Sequence, residues 1–262
     1  MNAQRSRLGA VLAAGLLTVL GASACSADGS QAPGAAAGID EAPATTTPGS
    51  PTSTVSTIDE DTIGSMRDTF ENDTNGWALP PGPLGSLTIT GGDFVWESSE
   101  PTLRPHITAA TLVDAYDAGR LDMTDVRVTA SVTPTRGTAA FGVTCREVPD
   151  SDSDVQWYEF VVRDGYAAIR LADSAGHLEP LQEGEVGVSL GKKATIQATC
   201  VDTSAGTAEL TLYIDGELRL QAQVPDPLGN GVPGLQAYDA SEEESSERML
   251  LAWHDFAVEP AA

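Results

Sequence analysis

Between Met66 and Pro260, apolar and polar side chains alternate with a period of two along much of the chain. That period marks strands with one face buried. Val126, Val128, Ala130 and Val132 alternate with Arg127, Thr129, Ser131 and Thr133. Phe141, Val143 and Cys145 are the apolar set of a second strand, with Gly142, Thr144 and Arg146 on the other parity. Tyr158, Phe160 and Val162 alternate with Trp157, Glu159, Val161 and Arg163, and Ile196, Ala198 and Cys200 form a further inward set. Ala208, Leu210, Leu212 and Ile214 run into Asp215-Gly216, after which Leu218, Leu220, Ala222 and Val224 resume the alternation. Two such runs joined by Asp-Gly predict a tight β-hairpin. No segment carries a sustained apolar stripe at helical spacing. Residues 111–120, with Leu112 and Tyr116 on one side, fit either a helical turn or a loop. About a dozen short strands separated by turn residues predict an all-β fold, an antiparallel β-sandwich. Trp77, Tyr158, Phe160 and Phe256 are expected in its core.

The first residues follow a different rule. Met1 to Arg7 carries Arg5 and Arg7 and no acid, Leu8 to Leu20 is uncharged and apolar, and small residues precede Cys25. This is the layout of an export signal. The apolar run of 13 residues is short of the roughly 20 that a spanning helix needs. Ala22-Ser23-Ala24-Cys25 resembles a bacterial lipobox, with Ala22 where Leu is usual. The resemblance implies cleavage before Cys25 and a lipid on its thiol; the alternative is an ordinary secretory signal with an incidental cysteine. The chain has three cysteines, an odd number for an exported protein. With Cys25 lipidated, Cys145 and Cys200 remain. Both fall on the apolar parity of their strands, as a core disulfide in an oxidising compartment requires. Two separate buried thiols are the other possibility.

Residues 25–64 combine the lipidated cysteine with a linker rich in Ala, Gly, Pro, Ser and Thr and nearly free of large apolar side chains. Such a segment cannot offset the entropy of ordering and is expected to be disordered. As a flexible coil it would set the domain on the order of 35 Å from its anchor. The expected organisation is therefore a signal over 1–24, a lipidated linker over 25–64 and a sandwich over 65–262. The expected address is the outer face of a cytoplasmic membrane, reached through lipid only. The chain carries a formal charge of −24. Loss of Arg5 and Arg7 with the signal leaves 12 bases against 38 acids, or −26. A field of that sign repels nucleic acid and anionic lipid.

The order of landmarks along the domain carries a family likeness. Asp68-Thr69-Phe70 with Gly76-Trp77 opens it, and Phe141-Gly142-Val143-Thr144-Cys145-Arg146 follows. Then come Trp157-Tyr158-Glu159-Phe160, Asp164-Gly165, Cys200, and Leu212-Tyr213-Ile214-Asp215-Gly216, with Trp253-His254-Asp255-Phe256-Ala257-Val258 at the close. This resembles the concanavalin A-like lectin/glucanase superfamily, and within it the envelope-protein sandwiches related to 3-keto-disaccharide hydrolases. The resemblance implies a jelly roll and a carbohydrate-linked role, though this superfold hosts many activities.

Catalytic signatures are sparse. A glycosidase needs two carboxylates about 5 to 9 Å apart across the scissile bond, and the Glu-x-Asp-x-x-Glu string of family-16 glucanases does not occur. Glu242-Glu243-Glu244 sits in a Ser-rich stretch and reads as a solvated loop. Asp150, Asp152 and Asp154 offer the oxygen ligands that suit calcium, but Val155 and Val161 stand where an EF-hand needs Gly and Glu. The simpler reading there is a polar hairpin, so no cofactor is expected and calcium is the one metal the pattern admits. His106, His177 and His254 lack metal spacing. What remains is a candidate binding face: Arg146, Trp157, Glu159 and Arg163 occupy the non-core parity of two successive strands. Sugars stack on aromatic rings and hydrogen-bond to surrounding charges. The same parity also fits a second packed layer, with Trp157 inside it. The expectation is a non-catalytic module for carbohydrate or cell-wall polymer. The alternatives are docking on another envelope protein and hydrolysis of modified sugars.

Overall fold

The computed structural model describes residues 65–77, 85–98, 106–119, 123–137, 139–147, 155–186, 188–240 and 248–261. The expected signal, the linker, Cys25, the Asp150/Asp152/Asp154 stretch and Glu242–Glu244 lie outside them.

The period-two segments form two antiparallel sheets. One contains β1 (Met66–Asp68), β2 (Ser86–Thr90), β3 (Asp93–Ser98), β5 (Val126–Arg136), β10 (Ala194–Asp202), β11 (Ala208–Ile214), β12 (Glu217–Val224) and β14 (Met249–Pro260). Its order is β12-β11-β10-β5-β14-β3-β2, with β1 also pairing to β14. The other contains β4 (His106–Ile107), β6 (Ala139–Glu147), β7 (Gln156–Arg163), β8 (Tyr166–Asp173), β9 (Leu178–Glu185) and β13 (Val232–Asp239). Its order is β4-β13-β6-β7-β8-β9. Residues 111–120 contribute to one short helix, α1 (Ala110–Asp117), which buries Leu112 and Ala115. Tyr116 is half-buried, and its hydroxyl donates to the Asn230 carbonyl at 3.2 Å.

The inward sets meet between the sheets. Val126, Val128, Ala130, Val132, Ile196, Ala198, Leu210 and Leu212 come from one side, and Phe141, Val143, Tyr158, Phe160 and Val162 from the other; all are buried. At one end Phe70, Trp77, Phe94 and Phe256 pack ring against ring, with centroids 5.1 to 5.7 Å apart. The buried Asp68 carboxylate secures this end. It accepts from the Phe70 amide, Asn75 Nδ2 and Trp77 Nε1, each at 2.7 Å. Cys145 on β6 and Cys200 on β10 form a disulfide, with Cα atoms 6.8 Å apart, that joins the two sheets. The Asp-Gly hairpin joins β11 and β12 with Asp215 at φ 52° and Gly216 at φ 80°. Positive φ at both central residues matches the twist of the flanking strands.

One irregularity decides where two β6 side chains go. Gly234 on β13 pairs with Thr144 on β6, but Val232 pairs with Glu147, so two β6 residues face one on β13. Arg146 takes up this bulge with a left-handed φ of 58°. A bulge of this kind re-aims the side chains beyond it. Arg146 turns to the core side and Glu147 emerges on the outer face, the reverse of strict alternation.

Candidate functional site

The outer face of the six-stranded sheet is built from small residues ringed by polar ones. The ladder places Ala140, Gly142 and Thr144 of β6 beside Val161 and Glu159 of β7, and these beside Ala168 and Arg170 of β8. Gln236 of β13 pairs with Gly142 on one side and with His106 of β4 on the other. Small side chains are required in the middle. A Cβ at Gly142 would overlap the carbonyl of Phe160, and one at Gly234 would lie 2.5 Å from the Ile107 carbonyl. Ala140, Val161 and Tyr238 form a small apolar cluster of their own on this face.

Polar groups surround that floor in two sets. In the first, His106 Nε2 donates to Glu147 Oε1 at 2.5 Å, and the His106 ring lies 4.5 Å from that of Trp157. In the second, Arg170 Nη1 donates to Glu159 Oε1 at 3.2 Å and to the Tyr238 hydroxyl at 3.1 Å. Arg170 Nη2 reaches the Tyr166 hydroxyl at 3.2 Å, which itself donates to Glu183 at 2.6 Å. Burial alone would lower the Arg170 pKa. The tyrosine hydroxyls and the Glu159 charge outweigh it and hold the guanidinium charged far above neutral pH.

The face is not saturated. Thr144 Oγ1, Glu147 Oε2, Trp157 Nε1, Glu159 Oε2 and Gln236 Oε1 are all buried without a hydrogen-bond partner. They are half of the ten such side-chain atoms among the described residues. A buried polar atom left unpaired costs about 1 to 3 kcal/mol. Five gathered on one sheet face therefore mark a surface shaped for something other than stability.

Of the four residues expected to share this face, the structure brings together three. Trp157 and Glu159 stand on it, buried, and Arg163 lies at its hairpin end with its guanidinium 4.8 Å from the Tyr166 ring centre. Arg146 does not join them, because the bulge sends it inward. Its side chain is fully buried and donates to the carbonyls of Leu228 (2.8 Å) and Thr124 (2.7 Å), with Asp202 at 2.8 Å. It caps one end of the core beside Tyr158, whose hydroxyl accepts from the Leu228 amide at 2.9 Å. Burial raises the Tyr158 pKa above its usual 10, against the pull of that amide and of the Arg146 charge. Trp157 belongs to a packed outer layer with His106 and does not lie open on the surface.

Pattern reading missed Glu147, His106, Arg170, Tyr166, Gln236 and Tyr238. Arg170, Tyr166, Gln236 and Tyr238 carry a usable signal, since each interrupts or flanks an apolar strand set. His106 sits in a two-residue strand and Glu147 lies past the bulge, where alternation points the wrong way. The other histidines are occupied elsewhere. His177 bridges to Asp173 within one turn at 2.9 Å. On the eight-stranded sheet, His254 Nδ1 donates to Asp93 at 2.6 Å and Nε2 accepts from the Thr133 hydroxyl at 2.7 Å, tying β3, β14 and β5 together. Among the described residues no three His, Cys, Asp or Glu side chains are grouped to hold a metal. No helix among them is long and apolar enough to cross a membrane.

No protein-family model matches the chain, and no curated protein is similar to it. Solved structures are similar in fold. The Bacillus licheniformis β-glucanase matches at a TM-score of 0.52 and 10% identity, over 75% of this chain and 98% of that one. A prokaryotic β-1,3-1,4-glucanase (lichenase) from a mouse hindgut metagenome matches at 0.51 and 9% identity, over 75% and 99%. A native glycosidic hydrolase matches at 0.50 and 8% identity, over 76% and 97%. The chain thus shares the two-sheet sandwich fold of these structures.

Proposed function

We propose that the protein is a lipid-anchored module of the cell envelope that binds carbohydrate or cell-wall polymer on the outer face of its six-stranded sheet without transforming it. The observation that carries this reading is the group of five unpartnered, buried polar atoms around a floor of Gly and Ala, flanked by the Trp157 and His106 rings. Hydroxyl-rich ligands satisfy such groups. The glucanase-like fold supports the same ligand class by analogy only.

Retention of the full chain on immobilised envelope polysaccharides tests the reading. Binding should weaken about tenfold or more in Trp157→Phe and Gln236→Leu. Undiminished retention in both variants would remove this face as the site. Anchoring through Cys25 is tested separately: labelled fatty acid should enter the full chain and be absent from Cys25→Ser.

A hydrolytic reading has one observation in its favour. The bulge brings Glu147 onto the same face as Glu159, which lies on the neighbouring strand. A glycosidase needs two such carboxyl groups across the scissile bond. Release of reducing ends from a bound polysaccharide, abolished by Glu147→Gln, would establish it in place of simple binding.

A further inference from the structure

The unmet groups on this face differ in kind, and the difference points to a ligand chemistry. Three are acceptors: one oxygen of Glu147, one of Glu159, and Oε1 of Gln236. Trp157 Nε1 is a donor, and Thr144 Oγ1 serves either way. Two of the three acceptors belong to carboxylates whose other oxygen is already engaged, by His106 at 2.5 Å and by Arg170 at 3.2 Å. The Glu159 side chain is fully buried and that of Glu147 is 10% exposed.

Of the cations nearby, Arg170 is the one committed by hydrogen bonds. Arg170 serves Glu159, Tyr238 and Tyr166 together, and Arg163 lies over the Tyr166 ring. Glu183 adds a further carboxylate at the edge through Tyr166. A ligand carboxylate entering between Glu147 and Glu159 would meet two half-satisfied carboxylates, with Arg170 already engaged and Arg163 set apart at the hairpin end of the face. A hydroxyl would satisfy one acceptor. An ammonium group supplies three donors and a positive charge, and hydrogen bonds to charged groups are worth roughly twice neutral ones.

Resting on the carbohydrate reading above, we infer that this face selects saccharides bearing free amino groups. The ammonium is placed between Glu147 and Glu159, and ring hydroxyls meet Gln236 and Thr144. Trp157 Nε1 remains to donate to a ligand hydroxyl or ring oxygen. Uronic-acid polymers are the class the face rejects.

The test is a titration of the full chain with three hexasaccharides: one of glucosamine, one of N-acetylglucosamine with the same backbone, and one of a uronic acid. Ionic strength is held at physiological salt, because the acidic chain attracts any polycation. The glucosamine hexamer should bind about tenfold tighter than its N-acetylated counterpart, and the uronate hexamer weakest. Glu147→Gln and Glu159→Gln, which keep the side-chain shape, should each erase most of that preference. An oligolysine of equal charge should not displace the bound sugar.

Equal affinity for the amino and N-acetyl forms would overturn the inference while leaving a carbohydrate site in place. So would displacement by oligolysine, or a preference that survives both Gln variants. Failure of every saccharide to bind would remove the carbohydrate reading and this inference with it.

Discussion

The two sheets of this sandwich share a core but treat their outer faces differently. On the eight-stranded sheet the outer positions are those of an ordinary solvated surface. Along β10, buried residues alternate with half-exposed Thr195, Gln197, Thr199 and Val201. On the six-stranded sheet every residue of β6 is buried, and so are six consecutive residues of β7. A sheet buried on both faces ordinarily carries apolar side chains on both. Here the second face keeps Thr144, Glu147, Glu159 and Gln236 instead, several of their atoms without partners. Polar groups held out of water without partners lower stability, so their concentration on one face sets that face apart from the merely solvated one.

That contrast can be probed from the strongest structural tie downward. The disulfide joins the sheets and closes a separation of 55 residues, for which the chain-entropy model gives about 4 kcal/mol. Cys145→Ala with Cys200→Ala should lower stability by that amount in denaturant unfolding, whichever face the sheets present. Next come the two arginines on opposite outer faces. Arg170→Met leaves the buried Glu159 carboxylate without its cation and should cost about 3 kcal/mol. Arg127 lies 3.8 Å from Glu259 on the exposed face of the other sheet, so Arg127→Met should change stability by less than about 0.5 kcal/mol. Equal losses would erase the distinction between the faces.

Gly142→Ala forces a methyl group into the Phe160 carbonyl in the six-stranded sheet and should cost about 2 kcal/mol through strain. A neutral result in thermal unfolding would mean that the β6–β7 backbones are free to separate. A smaller loss than that of Gly142→Ala is expected of Tyr158→Phe, which removes one hydrogen bond and should cost about 1 kcal/mol at neutral pH. Its sign with pH follows from the raised phenol pKa. The unfolded tyrosine ionises near 10 while the folded one resists. The stability that Tyr158 contributes is therefore intact below about pH 10 and declines as pH rises through the folded value. Tyr158→Phe should flatten that alkaline decline, and an unchanged slope would contradict the assignment.

Most of the sandwich was legible in the order of residues because alternation is a local property. The Val126–Val132 set, the Phe141–Cys145 set and the Asp215-Gly216 turn each specify their element within a few positions. The inward parity of Cys145 and Cys200 led to their pairing. The candidate site was legible only in part. Trp157 and Glu159 lie on a regular strand, and their face followed from counting. Arg146 was assigned to that face by the same counting and lies on the other, because the bulge depends on β13, which lies far along the chain. His106 and Glu147 are 41 residues apart, and Arg170 and Tyr238 are 68 apart. No spacing rule links such pairs before strand order is known.

The chain has four tryptophans. Trp77, Trp96 and Trp253 are core residues, and Trp157 alone stands on the outer face of the six-stranded sheet. Intrinsic fluorescence of the full chain, titrated with the glucosamine hexasaccharide, therefore reports on that face directly. The account predicts a saturable change in emission that disappears in Trp157→Phe while the variant stays folded. A saturable change that persists in Trp157→Phe would place the ligand elsewhere and contradict the assignment of this face.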